Sequence, residues 1–385
     1  MSPLSGGSMK KIGVAGSVCL DINPIFKANQ NNWLEEGKQT DLEDINITLG
    51  GCVGNTGLAL SSLDVPVRVF CKVGDDKLGS FVYEILKASG VDSIIEHTSD
   101  KSSASIIIAP PKKDRTILHK SGASQSITPD DIPDEFFSSI DLFHFGYPPK
   151  MTNLWKNHGS GMAKLLERAK SKGVATSLDM CMTDDKEGDA ALASFLPFTD
   201  IFLPSYEEML RLINVQEYKR VNAIANGHNL IEYIADETIS EIADWILSQG
   251  VHIVLLKLGK KGLYLKTDDK ASSISGLELG EEWNSRELWI APKEIVAPVS
   301  TIGAGDTAIA GFLASLASSF SPDLALSVAS CTAAKCIEST DRGHSMPKLS
   351  AIKILAESEY SQESLSIALN GWTRRDMVFY GPSDK

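Results

Sequence analysis

The chain has 385 residues, 43% of them hydrophobic, enough for one large α/β domain with additions or for two domains. Its formal net charge of −13 argues against a nucleic-acid or anionic-membrane partner, since both call for clustered Lys and Arg. Six dispersed cysteines (Cys19, Cys52, Cys71, Cys181, Cys331, Cys336), without a CxxC or a Cys/His pair at metal spacing, read as reduced thiols of a cytoplasmic protein. No apolar run approaches the length of a membrane span.

Met1–Ser8 is rich in Ser and Gly, precedes a second Met, and is expected to be a disordered leader or a cloning remnant. Lys11–Val18 reads as a first strand, with Asp21 just beyond it. Further short apolar runs follow at Val65–Val73, Leu142–Gly146, Gly173–Leu178, Asp200–Leu203 and Val251–Lys257. Helical patterns lie between several of them, at Asn55–Leu63, Leu78–Ala88, Leu154–Ser171, Tyr206–Ile213 and Ile239–Gln249. Strands alternating with helices predict a mostly parallel sheet covered on both faces. Two segments break that rhythm. Ile22–Leu49 and Ala104–Lys120 carry strand-like pieces around polar turns, and together they could form a small separate sheet that closes over a ligand crevice. An ordinary edge extension is the alternative. Three later stretches have no place in the pattern: a helical insertion at Val215–Thr238, a polar excursion at Asp268–Lys293, and a helix and tail from Ser350 to Lys385.

Chemistry concentrates in STIGAGDTAIAGFLASL, Ser300 to Leu316. Gly303 and Gly305 let the backbone bend ahead of an apolar helix, so free N–H groups around Ala304, Gly305 and Asp306 can face one spot, where the helix dipole favours an anion. A carboxylate at that spot is electrostatically awkward unless it has a task, such as taking the proton from a hydroxyl that attacks phosphorus. The alternative for Asp306 is a plain helix cap. Upstream, ITLGGCVGNTGLALSSL sets Gly50, Gly51 and Asn55 before a helix, which suits close approach of a hydroxylated ligand. Asp21 in GSVCLDIN and Asp179 in ATSLDM are acids at expected strand ends. VHIVLLKLGKKGLYL places Lys257, Gly259 and Gly262 at a turn between two strands, while neither it nor GVAGS has the spacing of a P-loop or a dinucleotide fingerprint.

In order, an early GxxxxD, GGxxxN, VGDDKLG, LPSYEE, KLGKKG and a late GAGD resemble the ribokinase-like PfkB family of carbohydrate kinases over roughly Lys11 to Pro347. The resemblance implies a ribokinase-like three-layer α/β/α fold with a mostly parallel central sheet and a small β-sheet lid. The kinase domain would span 9–350, with lid segments near 22–49 and 104–120, leaving 351–385 as a C-terminal helix and tail. It implies ATP and Mg²⁺, and phosphorylation of a hydroxyl on a sugar-like substrate. Asp306 would be the base, with Gly303, Ala304 and Gly305 forming the anion hole. Asp21, Gly50, Gly51, Asn55 and Tyr147 would contact substrate. Lys257, Gly259, Gly262 and Ser205 would lie on the nucleotide side, and Glu208 would handle Mg²⁺ through water.

The chain departs from the pattern at two places. Ser300-Thr301 stands where the family has Asp-Thr, which argues against monovalent-cation activation, and Ser205 replaces the Asn of NxxE. A nucleoside kinase with Phe26, Trp33 or Tyr147 against the base, and a sugar-sensing protein with weak turnover, are the competing expectations. A homodimer could form through the lid.

Overall fold

The computed structural model describes residues 9–27, 36–110, 116–183, 188–227, 229–295, 298–339, 345–358, 360–363, 365 and 371–385. The leader 1–8, Trp33 and residues 111–115 of the second lid segment therefore lie outside the described residues. The strands are β1 (Ile12–Gly16), β2 (Cys19–Ile25), β3 (Asp44–Gly50), β4 (Val67–Gly74), β5 (Asp92–Thr98), β6 (Ala104–Ile108), β7 (Thr116–Lys120), β8 (Leu142–Gly146), β9 (Ala175–Asp179), β10 (Ile201–Phe202), β11 (Ile253–Lys257), β12 (Leu263–Thr267), β13 (Glu287–Ile290), β14 (Thr373–Arg375) and β15 (Val378–Tyr380). The helices are α1 (Leu58–Ser62), α2 (Lys77–Ser89), α3 (Asp134–Phe137), α4 (Thr152–Ser171), α5 (Gly188–Phe195), α6 (Tyr206–Ile213), α7 (Val215–Ala225), α8 (Asp236–Ser248), α9 (Ala304–Ala317), α10 (Pro322–Ile337) and α11 (Leu349–Glu357).

Eleven strands form the main sheet, in the order β14-β15-β13-β12-β11-β10-β9-β8-β1-β4-β5. From β11 to β5 every pairing is parallel, and the strands beyond β11 pair antiparallel. Successive side chains of the central strands enter opposite cores, as a sheet covered on both faces requires. Ile253 and Leu255 of β11 join a core with α1, α2, α9, α10 and α11, whereas Val254 and Leu256 join one with α3 to α8. Twelve of the fourteen residues of α9 are buried, so the GAGD helix runs through the interior, as its apolar composition predicts.

The segments that broke the rhythm pair into the expected second sheet, in the order β3-β2-β6-β7. Asp21 lies inside β2 of this lid, and the first strand stops at Gly16; the apolar run continues through Val18 only because the next strand begins at Cys19. Its register sets Thr48, Asp21, Ser105 and His119 in one row across all four strands, and Ile47, Ile22, Ile106 and Leu118 in the next. Adjacent residues of a strand face opposite ways, so the lid has one polar and one apolar face.

The stretch expected as a polar excursion, Asp268–Lys293, holds β13 and two fully buried tryptophans, Trp283 and Trp289. Their indole N–H groups donate to the carbonyls of Phe320 and Lys261, which satisfies the polar edge of each ring within the apolar core. The C-terminal tail adds β15 and β14 to β13, and Trp372 packs on Tyr264 and Trp289. The helical expectation for Val215–Thr238 holds for α7 and for the start of α8.

Candidate active site

Chain order runs outward from β1 in both directions, to β4 and β5 on one side and to β8 through β11 on the other. The switch between β1 and β8 leaves a crevice at the carboxyl ends of the strands, the place where such sheets take ligands. Tyr147 follows β8, Asp179 ends β9, Ser205 and Glu208 follow β10, and Lys257 ends β11. Asp306 is two residues into α9, whose N-terminal cap Gly303 has φ +79°, a left-handed conformation that glycine adopts without strain. Gly51, with φ +76°, makes the corresponding turn before Asn55, and a Cβ there would stand 2.5 Å from the Ser17 carbonyl oxygen.

Asp306 is buried and held at both carboxylate oxygens. Tyr147 donates its hydroxyl to Oδ1 at 2.5 Å, and Asn55 donates from Nδ2 to Oδ2 at 2.9 Å. Burial pushes the carboxyl pKa of Asp306 up, and the two donors and the Lys257 ammonium oppose that rise. A carboxylate so placed can accept a proton from a ligand hydroxyl through its remaining lone pairs. The Ala304 N–H is turned back to the Thr301 carbonyl at 3.3 Å, whereas the N–H groups of Gly305 and Asp306 have no hydrogen-bond partner among the described residues. Of the three N–H groups expected to be free there, those of Gly305 and Asp306 are so among the described residues, and that of Ala304 is not. Asn55 Oδ1 is also buried without a partner among the described residues, an acceptor that a ligand hydroxyl would satisfy.

Lys257 reaches from β11 across β10 to Asp179 on β9, Nζ to Oδ1 2.5 Å. Burial lowers the lysine pKa, but Asp179 and Glu208 more than offset it, so the ammonium stays charged. Burial raises Asp179, Lys257 opposes, and Glu208 and Asp306 add to the rise. Ser205 and Glu208 form a reciprocal cap on α6: Ser205 N–H donates to Glu208 Oε2 at 2.7 Å and Glu208 N–H to Ser205 Oγ at 3.3 Å. The short Ser side chain is therefore spent on the helix start.

Three acidic side chains, Asp179, Glu208 and Asp306, share this crevice with the ammonium of Lys257. Acidic oxygens are the donor type a hard divalent cation takes, and the described residues contain no group of three or more close metal-ligating side chains. Mg²⁺ suits such a site because it keeps several waters and needs few protein ligands once phosphates are present.

On the lid, Asp21 is buried, accepts from Cys19 Sγ at 3.0 Å and lies against Gly50, where any Cβ would collide with its carboxylate. Gly259 and Gly262 bracket the turn after β11, and Gly262 is packed against the Ile290 backbone of β13. His144, on β8, is fully buried, with Nδ1 on Ser177 Oγ at 3.0 Å. The partnership of Lys257 with Asp179 is what sequence reasoning missed; its one signal was an acid at the end of ATSLD.

An open parallel sheet, a four-stranded lid and a helix terminus carrying an acid at the carboxyl edge are the architecture of ribokinase-like kinases. The structure is similar to that of Arabidopsis thaliana ribokinase complexed with ribose and ATP (20% identity, 91% of this chain and 99% of that one, TM-score 0.67). It is also similar to the nucleoside kinase of Methanocaldococcus jannaschii (18% identity, 91% and 99%, TM-score 0.63). The family model for pfkB family carbohydrate kinases matches residues 9–349, and the chain belongs to that family, as a phosphotransferase with an alcohol acceptor. Among curated relatives it is 23% identical over 303 residues to the 2-dehydro-3-deoxygluconokinase of Bacillus subtilis, covering 76% of this chain and 80% of that protein. It is 24% identical over 368 residues to a 5-dehydro-2-deoxygluconokinase of Clostridium perfringens, covering 92% and 94%.

Proposed function

We propose that the protein transfers the terminal phosphoryl group of ATP to a hydroxyl of a sugar or sugar acid, with Asp306 as general base. The observation that carries this reading is the buried Asp306 carboxylate, fixed at both oxygens, beside the Gly305 and Asp306 N–H groups, which have no partner among the described residues. The acceptor hydroxyl gives its proton to Asp306, its oxygen bonds to the terminal phosphorus, and the bond from that phosphorus to ADP breaks. The N–H groups at the start of α9 take up charge on the transferring group, and the polar row of the lid excludes water as it orients the sugar. Asp21, Gly50, Gly51 and Asn55 form the acceptor side. Lys257, Gly259, Gly262 and Ser205 form the nucleotide side. Glu208, with its second carboxylate oxygen, would hold Mg²⁺ through water, and that ion would offset the phosphate charge.

The test is an ATP-consumption screen that begins with the dehydro-deoxygluconates, ribose and fructose named for the relatives and extends to nucleosides. Turnover confined to nucleosides would overturn the sugar assignment. Ligand-induced thermal stabilisation without turnover would instead identify a sensor.

The apolar lid row supports a homodimer. Ile47, Ile106 and Leu118 are 44%, 41% and 53% exposed and sit on the face away from Asp21, a surface that a second copy would cover with the same residues. Light scattering on Ile106→Lys should give a smaller particle than wild type.

A further inference from the structure

We propose that Tyr147 is a positioning residue for Asp306: its hydroxyl, carried over the strand ends by a left-handed backbone turn, fixes the carboxylate in the orientation that accepts the substrate's proton. The proposal rests on the reading of Asp306 as the base. Tyr147 has φ +65° and ψ +47°, an uncommon conformation for a bulky residue and one that the following Pro148 makes still less favourable. Such outliers persist where their surroundings over-determine them and where a site uses the result. Here the Tyr147 N–H donates to the Asp179 carbonyl at 3.3 Å, and its own carbonyl accepts from Lys150 N–H at 2.9 Å. The turn ends with the phenol 2.5 Å from Asp306 Oδ1. With Asn55 on Oδ2, each oxygen of the base has one fixed donor, and the plane of the carboxylate is set.

The surrounding charges make this contact consequential. Lys257 at the end of β11 favours the ionised form of Asp306, and Glu208 on α6 and Asp179 on β9 oppose it. Cys52, ahead of Asn55, has its thiol pushed up by burial and by Asp306, so it stays neutral. Tyr147 itself is pushed far above the usual phenol range by burial and by Asp306, so it remains an O–H donor at every working pH. A donor to the charged form stabilises that form, and its removal raises the pKa of the base.

Tyr147→Phe should therefore move the acid limb of the pH–rate profile upward by about one unit, with about a ten-fold loss on that limb, recovery at higher pH and an unchanged KM for ATP. The same upward shift should appear when the Asp306 carboxyl is titrated by ¹³C NMR, its resonance assigned by comparison with Asp306→Asn. Tyr147→Gly removes the phenol while relieving the left-handed backbone, and should show the same shift if the Phe variant fails to fold. An unchanged titration midpoint with a uniform loss of rate across pH would overturn the proposal. If no acceptor is phosphorylated, the kinase reading fails while the NMR titration still decides the role of Tyr147.

Discussion

The ammonium of Lys257 lies 2.5 Å from the carboxylate of Asp179, and both side chains are largely enclosed, 14% and 3% exposed. The lysine stem runs beneath the first turn of α9, where a Cβ on Gly305 would be 3.6 Å from Lys257 Cδ. The pair thus ties two strand ends together and brings positive charge under the helix terminus that would receive phosphate. Removing one member of a buried pair costs more than the pair contributes, because the other charge is left without compensation. Lys257→Met should lose about 3 to 5 kcal/mol in denaturant unfolding. The double variant Lys257→Met/Asp179→Leu should regain most of that stability but not the activity. Equal stability of the single and double variants would show that the pair acts independently of burial.

Asp306→Asn keeps the shape of the side chain and the donors around it, and removes the capacity to take a proton. It should lower kcat by roughly 10²- to 10⁴-fold, about 3 to 5 kcal/mol of barrier, with little change in ATP affinity measured by calorimetry. Turnover at the wild-type rate would leave Asp306 a structural residue that ties α9 to Tyr147 and Asn55.

Much of this was legible because local chemistry and long-range packing agree. The α9 start is written in consecutive residues, with two glycines, an acid and an apolar run, and β8 and α6 fall where their apolar spacing places them. Asp21 was misplaced because only Ser17 and Val18 separate β1 from β2, and Val18 continues the apolar run across the break. The Lys257–Asp179 pair was not legible, since its members are 78 residues apart and each alone reads as a turn residue. The polar look of Asp268–Lys293 hid Trp283 and Trp289 because their indole groups need hydrogen-bond acceptors that only folding supplies. The same holds for the tail, whose β15 pairs with a strand about ninety residues earlier, Trp289 opposite Phe379.

His144 carries a pH dependence of stability. Burial, with Lys257 adding, lowers its pKa to about 3, so the folded protein keeps the ring neutral while the unfolded chain protonates it near the ordinary value of about 6.5. The folded pKa is the depressed one. Stability is therefore complete above about pH 6.5 and is lost progressively as pH falls toward 3. The loss between pH 7 and 5 should be about 2 kcal/mol from this group. Urea unfolding across that range should show the slope, and His144→Asn should flatten it.

The C-terminal tail should stabilise the distal end of the main sheet. Arg286 pairs with Asp384 at 2.7 Å, Glu287 N–H donates to Asp384 at 3.0 Å, and Ser383 N–H donates to the buried Glu287 carboxylate at 2.9 Å. Deleting the chain from Trp372 onward would uncover Trp289 and Tyr264 and leave that carboxylate short of a donor. We expect a loss of about 3 to 5 kcal/mol in thermal or urea unfolding, against about 1 to 2 kcal/mol for Asp384→Asn alone. An unaltered unfolding curve for the truncated chain would mean that the hairpin is docked without stabilising the sheet.

Ser300 governs the last expectation. Its hydroxyl accepts from Ile302 N–H at 3.2 Å, closing a small turn ahead of Gly303, and the segment Ser300 to Gly305 contains no acid. A weakly bound monovalent cation needs oxygen ligands with negative charge close by, and the resemblance places an Asp where this chain has the neutral Ser300. Positive charge beneath the helix terminus is supplied instead by the chain itself, through Lys257. Potassium titrated against choline at constant ionic strength, which holds screening fixed, should leave kcat unchanged. A steep activation by potassium that is absent with choline would mean that carbonyl oxygens of the turn suffice to hold the ion. Ser300→Asp would then be expected to raise its affinity further.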